Sequence, residues 1–244
     1  MTALDTYFTA VNRQLEQIYS TQRAAIEQGA GLLAEALAND RWLYAFGTGH
    51  SHMLAEELFY RAGGLARVVP ILDGKLMLHE SATESTHVER RENYAAGLLQ
   101  HYPLAAGDVL LIASNSGRTP VPIDLALAAR ERGVKVVAIT NLQHTKIWPS
   151  RHSSGKKLVD LADVVIDNCG VPGDACVELP GLPTLVGPTS TMAGTLIVNL
   201  LIVQAIENAL ARGVIPEVYT SSNTDSDAHN DQLVAKYKGR IRHL

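Results

Sequence analysis

The chain has 244 residues, of which 46% are hydrophobic and 19% charged, with a formal net charge of −4 and a pI near 6.1. This is ordinary globular composition, and the length suits one large α/β domain or two small ones. No long run of Lys and Arg is present, so we expect no nucleic-acid or membrane partner and predict a small ligand. The two cysteines, Cys169 and Cys176, lack metal-type spacing and predict reduced thiols in a cytoplasmic protein.

Between about residues 4 and 38, apolar residues that include Leu15 and Ile18 recur at helical spacing. This pattern predicts one or two amphipathic helices ahead of the first strand. Their apolar stripe is larger than a sheet already covered by its own helices could bury. We therefore expect residues 1–40 to pack on the domain or on a partner copy, and the protein to be a homodimer or larger. The N-terminus lacks a basic segment followed by an apolar one, so we expect no signal peptide.

Five short apolar runs alternate with helical segments along the middle of the chain. They are Trp42 to Phe46, Arg67 to Leu72, Val109 to Ala113, Val134 to Thr140 and Val164 to Asp167. A strand, a helix and a parallel strand connect almost always right-handedly, which predicts one doubly wound five-stranded parallel sheet of the α/β class. Its ligand loops should lie at the carboxyl ends of the strands. We expect this domain to cover residues 41–215, and residues 216–244 to form a tail and a last helix.

The segments between the strands give weaker patterns. The predicted elements are a helix from about His52 to Ala62, a partly helical polar stretch from Leu76 to about Leu99, a surface loop from Gln143 to Lys157, an irregular segment from Asn168 to Gly187 and a helix from about Met192 to Ala211. The apolar run from Leu196 to Ile206 is too short to span a bilayer and predicts a buried helix.

The loop after the third predicted strand has the composition of a phosphate cradle. Its residues are Ser114, Asn115, Ser116, Gly117, Arg118, Thr119 and Pro120. Thr119 can cap the following helix and Pro120 suits the first helical position. Hydroxyl groups would then converge at the positive end of a helix dipole, with Gly117 admitting a ligand close to the backbone. The same residues would also suit an ordinary capped helix, so both interpretations stay open.

The loop after the first strand resembles a dinucleotide fingerprint only in part. Gly47 and Gly49 follow the strand, and Asp73 ends the next one, where a ribose-binding carboxylate would be expected. His52 occupies the position of the third glycine, and its bulk would prevent the close packing of helix on strand that this motif requires. No Walker loop is present. We therefore expect no cofactor and predict a site for a small phosphorylated molecule.

These residues resemble a known family. Residues 114–120 are similar to the phosphate loop of sugar isomerase (SIS) domains, and Gly47, Thr48, Gly49, His50 and Ser51 are similar to the first sugar-binding loop of the same domains. Gly187 to Gly194 resembles a loop of N-acetylmuramic acid 6-phosphate etherases. The overall likeness is to small single-domain SIS proteins of largely unassigned function. The resemblance implies a flavodoxin-like three-layer fold and a phosphosugar ligand.

The resemblance also implies a set of binding residues. Ser114, Ser116 and Thr119, with the backbone of Asn115 and Gly117, would hold the phosphate, Gly49, His50 and Ser51 would contact the sugar, and Ser190 and Thr191 would close the far side. Arg118 projects from the phosphate loop and is as readily a surface charge as a ligand contact.

Sugar isomerisation and β-elimination both need a group that removes a proton next to a carbonyl. Glu56 lies four residues after His52, so the two side chains share a helix face. This is also a metal-pair spacing, and sedoheptulose 7-phosphate isomerases, which are similar here, are associated with a His and a Glu on this helix. Their later Gln and His are not reproduced, so we expect no metal unless His229 supplies a ligand.

A second carboxylate candidate lies in the stretch from Leu78 to Glu84, which loosely resembles the segment that carries a catalytic glutamate in the etherases. Glu80 is the better positional match, although Glu80 and Glu84 also fit a solvated helix face. Two functional hypotheses follow. The protein is a phosphosugar isomerase or lyase that uses Glu56 or Glu80, with His52, or it is a non-catalytic phosphosugar sensor, for which no DNA-binding helix-turn-helix is visible.

Overall fold

The computed structural model describes residues 1–223 and 227–244. The helices in this part of the chain are α1 (Ala3–Thr21), α2 (Arg23–Ala38), α3 (His52–Leu58), α4 (Leu78–Val88), α5 (Tyr94–Leu99), α6 (Pro120–Glu131), α7 (Leu142–Ile147), α8 (Ser190–Ala211) and α9 (Asp227–Tyr237). The strands are β1 (Leu43–Gly47), β2 (Val68–Ile71), β3 (Val109–Ala113), β4 (Lys135–Thr140), β5 (Val164–Asp167), β6 (Ala175–Val177) and β7 (Val186–Pro188).

The first five strands form one parallel sheet in the order β2-β1-β3-β4-β5. Every residue of β1, β2 and β3 is buried, as expected for a parallel sheet that carries helices on both faces. The predicted doubly wound five-stranded sheet is therefore confirmed. Strand order reverses between β1 and β3, so the crevice for a ligand opens where the loops after these two strands diverge.

Alternate residues of each strand feed two separate apolar cores. Tyr44 and Phe46 of β1 point into one core, which is completed by α4, α5, α6 and α9. Leu43 and Ala45 point into the other, which is completed by α1, α2, α3 and α8. This follows from the two-residue period of side chains along a strand. The sheet is thus the middle layer of a three-layer fold.

Helix α8 contributes many of the apolar side chains of the second core. By length and composition alone it could cross a membrane, but its most apolar window is 44% buried within the fold. Gly29 of α2 allows a close approach, since a Cβ atom at that position would lie 2.9 Å from Leu201 Cδ2. The predicted buried helix is thus buried on one face, whereas Val203 and Leu210 are 68% and 52% exposed.

Three segments differ from the sequence-based expectations. Helix α3 ends at Leu58, well before Ala62, because Phe59 is extended and Tyr60 has a φ of +48°. The predicted surface loop from Gln143 contains the short helix α7, and the predicted irregular segment contains the antiparallel hairpin of β6 and β7. Elements this short show no hydrophobic period, so only their tertiary contacts define them.

The C-terminal segment returns to the sheet of its own chain. Val218 forms an isolated antiparallel bridge with Leu65, and the ring of Tyr237 on α9 packs edge-on against Trp42 at a centroid distance of 5.2 Å. The Nε2 atom of His229 lies 2.9 Å from the carbonyl oxygen of Val218. Residues 224–226 of the predicted tail lie outside the described residues.

Candidate functional site

One cavity brings together the three polar loops that the sequence singles out. It is lined by His50, Ser51, Leu54, Ala113, Ser114, Asn115, Ile139, Asn168, Ser190 and Thr191. These residues come from the carboxyl ends of the parallel strands and from the start of α8. The structure therefore places this cavity at the switch point of the sheet, where open α/β folds bind ligands.

The loop from Ser114 to Thr119 is held by hydrogen bonds to its carbonyl groups. Asn141 N–H donates to the carbonyl of Asn115 at 3.1 Å, and Leu158 N–H donates to that of Gly117 at 2.8 Å. The carbonyls of residues 116 and 118 are bound in the same way, by Thr145 Oγ1 at 2.9 Å and by Arg151 N–H at 2.9 Å. The four consecutive carbonyl groups of residues 115–118 thus all accept hydrogen bonds.

The N–H groups of the same loop are mostly free. Gly117 N–H donates to Ser114 Oγ at 3.2 Å, but within the described residues the N–H groups of Asn115, Ser116, Arg118 and Thr119 have no partner. Because C=O and N–H point in opposite directions across a trans peptide plane, binding the carbonyls on one side leaves these donors on the other. Such a concave set of N–H groups suits an anion.

The start of α6 contributes less than the sequence suggests. Thr119 and Pro120 take the predicted N-cap and first helical positions, but the Thr119 hydroxyl oxygen accepts no capping hydrogen bond from a backbone N–H of the helix. Pro120 and Pro122 have no N–H, and Val121 N–H donates to the carbonyl of Glu89 at 3.2 Å. The free donors therefore belong to the loop ahead of the helix and not to its first turn.

The N-terminus of α8 already binds a carboxylate of the same chain, that of Asp174. Asp174 Oδ1 accepts hydrogen bonds from the N–H groups of Thr189 at 3.0 Å and Ser190 at 2.8 Å, and Asp174 Oδ2 accepts one from the Ser190 hydroxyl at 2.7 Å. A carboxylate at a helix N-terminus neutralises the attraction of that end for a second anion. Ser190 and Thr191 are the two residues predicted to close the far side of the ligand cavity. Ser190 uses its N–H and its hydroxyl in hydrogen bonds to Asp174, whereas Thr191 forms no hydrogen bond to Asp174.

The first loop turns sharply between β1 and α3. Gly47 is required there, since a Cβ atom would lie 2.2 Å from the carbonyl oxygen of Ser51, and Gly49 has a φ of +56°. His52 is only 7% exposed, with Nδ1 paired to the carbonyl of Gly49 and Nε2 3.5 Å from Glu56 Oε2. The predicted His52–Glu56 pair therefore exists, although the Glu56 side chain is half exposed.

The His–Glu pair does not fit a metal centre. It supplies two ligands, whereas zinc sites in proteins use three or four. Across residues 1–223 and 227–244 no third His, Cys, Asp or Glu completes the group, and His229 is paired with Val218.

Glu80 lies on the rim of the first loop. Helix α4 is interrupted at Ser81, whose hydroxyl accepts a hydrogen bond from Glu84 N–H at 3.3 Å, so Glu80 and Glu84 do not share one continuous helix face. The Glu80 side chain is 64% exposed and lies 3.9 Å from His79 Nε2. The ring centroids of His79 and His52 are 6.2 Å apart. His52, Glu56 and Glu80 therefore lie around the first loop, but neither carboxylate lines the cavity.

Sequence reasoning missed Glu89. This residue follows α4 and is partly buried; its Oε2 accepts a hydrogen bond from the Thr48 hydroxyl at 2.7 Å, and its carbonyl accepts one from Val121 N–H. It thus joins the first loop to the start of α6, directly after the phosphate loop. In the sequence Glu89 stands in a charged run with Arg90 that is typical of a solvated surface, so no pattern identified it.

A positively charged surface borders the phosphate loop. Arg118 Nε donates to the carbonyl of Pro149 at 2.8 Å. Partial burial lowers the pKa of Arg118, and nearby Arg151 and Arg90 lower it further. Within the described residues none of these three arginines forms a salt bridge. The protein is acidic as a whole, yet here three arginines without a salt bridge lie beside one loop, which favours an anionic ligand.

Comparison with known proteins agrees with this geometry. A model of the SIS domain family matches residues 6–141. A UPF0309 protein of Caldanaerobacter subterraneus subsp. tengcongensis is 45% identical over 245 residues, which cover 99% of this chain and 100% of the relative. The chain therefore belongs to the SIS domain family, as its two loops predicted, and within that family to the UPF0309 proteins.

Two solved structures share the fold. Phosphoheptose isomerase GmhA of Neisseria gonorrhoeae has a TM-score of 0.54 at 19% identity, with 83% of this chain and 96% of that chain covered. The Vibrio vulnificus NanR protein, complexed with ManNAc-6P, has a TM-score of 0.52 at 19% identity, with 96% of this chain and 69% of that chain covered.

Gly117→Ala should damage the phosphate loop. Gly117 has a φ of +60°, and a Cβ atom would lie 2.9 Å from Thr140 Oγ1. We expect the free energy of unfolding to fall by about 1 to 3 kcal/mol in urea titrations. Gly97→Ala on α5 is the matched control, because a Cβ atom there meets nothing within 4 Å and should be neutral or stabilising. Equal effects of the two changes would contradict the geometry of the loop.

Proposed function

We propose that this protein binds a phosphorylated sugar and acts on it as an isomerase or an etherase-type lyase in the cytoplasm. The observation that carries the proposal is the loop from Ser114 to Thr119, with four occupied carbonyls, four free N–H groups and three hydroxyl side chains. It is supported by the fold that the chain shares with phosphoheptose isomerase GmhA of Neisseria gonorrhoeae. No cofactor is invoked, because proton transfer next to a carbonyl needs only a positioned acid or base.

The phosphate would sit on the loop from Ser114 to Thr119 and the sugar would extend toward the first loop. Gly49, His50 and Ser51 are the proposed sugar contacts, and Thr191 and Ser190 line the opposite wall. Asp174 gives this orientation a physical cause. Its carboxylate at the start of α8 disfavours a second anion there and directs the phosphate to the other side of the cavity.

Glu89 is the best placed of three carboxylates for the proton transfer. It bridges the two ligand loops and is held by the Thr48 hydroxyl, whereas the side chains of Glu56 and Glu80 are 50% and 64% exposed. A positioned base needs a fixed geometry as well as a suitable pKa. Glu56, Glu80 and His52 remain proposals of lower rank for the same role.

A non-catalytic sensor is the second candidate. The observation in its favour is that none of the three candidate carboxylates, Glu56, Glu80 and Glu89, is among the residues that line the cavity. The NanR protein complexed with ManNAc-6P supports this alternative only as a protein of the same fold.

Turnover and binding measurements on the same variants separate the two candidates. The unaltered protein should be screened against phosphorylated amino sugars, hexoses and heptoses by thermal shift and product analysis. For a substrate found this way, Glu89→Gln should lower kcat by about 10²-fold or more with little change in affinity. Glu56→Gln and Glu80→Gln test the lower-ranked residues, and Glu131→Gln at the exposed end of α6 is the control. Tight binding without product from any ligand would support the sensor.

The phosphate cradle is tested by the double change Ser116→Ala with Thr119→Val. A phosphosugar should bind far more weakly, on the order of tenfold or more for each charge-assisted hydrogen bond that is lost. Its unphosphorylated analogue should bind almost as before, because the sugar contacts lie on the first loop. Calorimetry with both ligands provides the measurement, and equal weakening of the two would place the phosphate elsewhere.

We also propose a homodimer or larger assembly. Leu4, Phe8 and Tyr19 of α1 are 76%, 65% and 59% exposed, and Val203 of α8 is 68% exposed. A groove between the start of α2 and the middle of α8 is bordered by Tyr19 at the end of α1. Exposed apolar surface of this kind is typical of a protein interface. Ile18, by contrast, is fully buried within its own chain and cannot be an interface residue.

Light scattering should give a mass above that of the 26.3 kDa monomer at micromolar concentration. Phe8→Asp with Val203→Asp should shift the mass to the monomer while circular dichroism stays unchanged, because two charges would be buried at the contact. Ile147→Asp on α7 is the control, since Ile147 is 55% exposed at the far side of the phosphate loop. A monomeric unaltered protein would refute the assembly.

A further inference from the structure

Gln14 connects the N-terminal helix α1 to the cavity. It is 7% exposed, although it is polar, and its Nε2 donates to the carbonyl of Asn168 at 2.7 Å. Asn168 is 3% exposed, follows β5 and lines the cavity. A buried carboxamide is costly unless its hydrogen bonds are made, so this contact fixes α1 relative to the backbone at residue 168.

The side chain of Asn168 continues the connection. Its Oδ1 accepts a hydrogen bond from Gly170 N–H at 3.0 Å, which leaves its NH₂ group to donate to Asn115 Oδ1 at 2.8 Å. Asn115 belongs to the phosphate loop. Gln14 thus contacts the backbone of Asn168, and Gly170 N–H decides which end of the Asn168 carboxamide faces Asn115, because every carboxamide has one acceptor end and one donor end.

Packing leaves this chain of amides little freedom. A Cβ atom on Gly170 would lie 3.2 Å from Gln14 Nε2, 3.2 Å from Asn168 Oδ1 and 3.0 Å from Asn141 Nδ2. Asn141 is itself 1% exposed, with Oδ1 accepting from His144 N–H at 2.8 Å. Three carboxamides therefore surround Gly170, and only glycine leaves room for them at these distances.

Asn115 is where the chain of amides reaches the ligand. Its Oδ1 is taken by Asn168, and within the described residues its Nδ2 has no hydrogen-bond partner. Asn115 also lines the cavity and carries one of the free N–H groups of the phosphate loop. The available end of its side chain is therefore a donor, which complements an oxygen that can only accept, as in a phosphate or a carbonyl.

We propose that Gln14 is a positioning residue which, through Asn168, holds the carboxamide of Asn115 with its NH₂ group toward the ligand. The proposal rests on the proposed function of this cavity and adds a binding group to it. Residues 1–40 are then part of the site as well as a packing surface. The bound atom opposite Asn115 is an acceptor oxygen of the phosphorylated ligand.

The first test needs no ligand. In ¹⁵N-labelled protein, Gln14→Met keeps the length of the side chain but removes the donor, and should shift the side-chain NH₂ signals of both Asn168 and Asn115. Gln17→Met, at an exposed position of the same helix, is the matched control and should leave them unchanged. Unchanged Asn115 signals in Gln14→Met would overturn the connection, whatever the protein binds.

The second test is a double-mutant cycle with inorganic phosphate as the probe, measured by calorimetry. Asn115→Ala should weaken phosphate by about five- to tenfold and Gln14→Met by about threefold, while Gln17→Met has no effect. The double variant should bind no more weakly than Asn115→Ala alone, because Gln14 acts through Asn115. Additive effects, or a lower Tm in Gln14→Met with unchanged affinity, would reduce Gln14 to a structural residue. Failure of the unaltered protein to bind phosphate would instead refute the proposed function, which the first test does not depend on.

Discussion

The candidate site depends on the binding of four consecutive carbonyl groups by a neighbouring segment. The carbonyls from Asn115 to Arg118 are occupied by donors between Thr140 and Leu158, most of which follow β4 in the sheet. A planar peptide cannot turn its N–H without turning its C=O. The loop therefore presents donors toward one side and is closed to cations on that side. The segment from Asn141 to Leu158 acts as a structural support for an anion site.

Charge within the fold then determines which end of the cavity suits an anion. Three helices begin near the site, but the start of α6 has lost N–H groups to proline and to Glu89, and the start of α8 is occupied by Asp174. Arg90, Arg118 and Arg151, none of which forms a salt bridge within the described residues, lie beside the loop that precedes α6. A helix terminus by itself is thus a poor guide to anion binding, because its donors have to be both present and free.

The N-terminal helix carries both exposed apolar residues and a buried polar one. Leu4 and Phe8, near its start, are exposed, whereas Gln14 and Ile18, further along, are buried in the same chain. A subunit contact at Leu4 and Phe8 would bear on the helix whose Gln14 contacts Asn168. Assembly and ligand binding would then share one element, and a change in one would be transmitted through a packed interior to the other.

The strand pattern and the two Gly- and Ser-rich loops were sufficient to predict the five-stranded sheet and the family, because both are local in sequence. Periodicity defines a strand within a few residues. Glycine is required at single positions, at Gly117 by its positive φ and at Gly47 by the close approach of the Ser51 carbonyl. Of the predicted binding residues, the fold brings six to the lining of the cavity, namely His50, Ser51, Ser114, Asn115, Ser190 and Thr191. Gly49, Ser116, Gly117 and Thr119 are not among the lining residues.

Only the tertiary structure decided which polar groups of the site have hydrogen-bond partners within the protein and which remain available to a ligand. Asp174 occupies the start of α8, Glu89 reaches Thr48 across 41 residues, and Gln14 reaches Asn168 across 154. None of these contacts leaves a pattern in the sequence, because a hydrogen bond between distant residues depends on where the chain returns and not on its local period. The sequence by itself therefore determined the five-stranded sheet and the ligand loops. The hydrogen-bond partner of each polar atom, on which the chemistry of the site depends, was decided only by the folded chain.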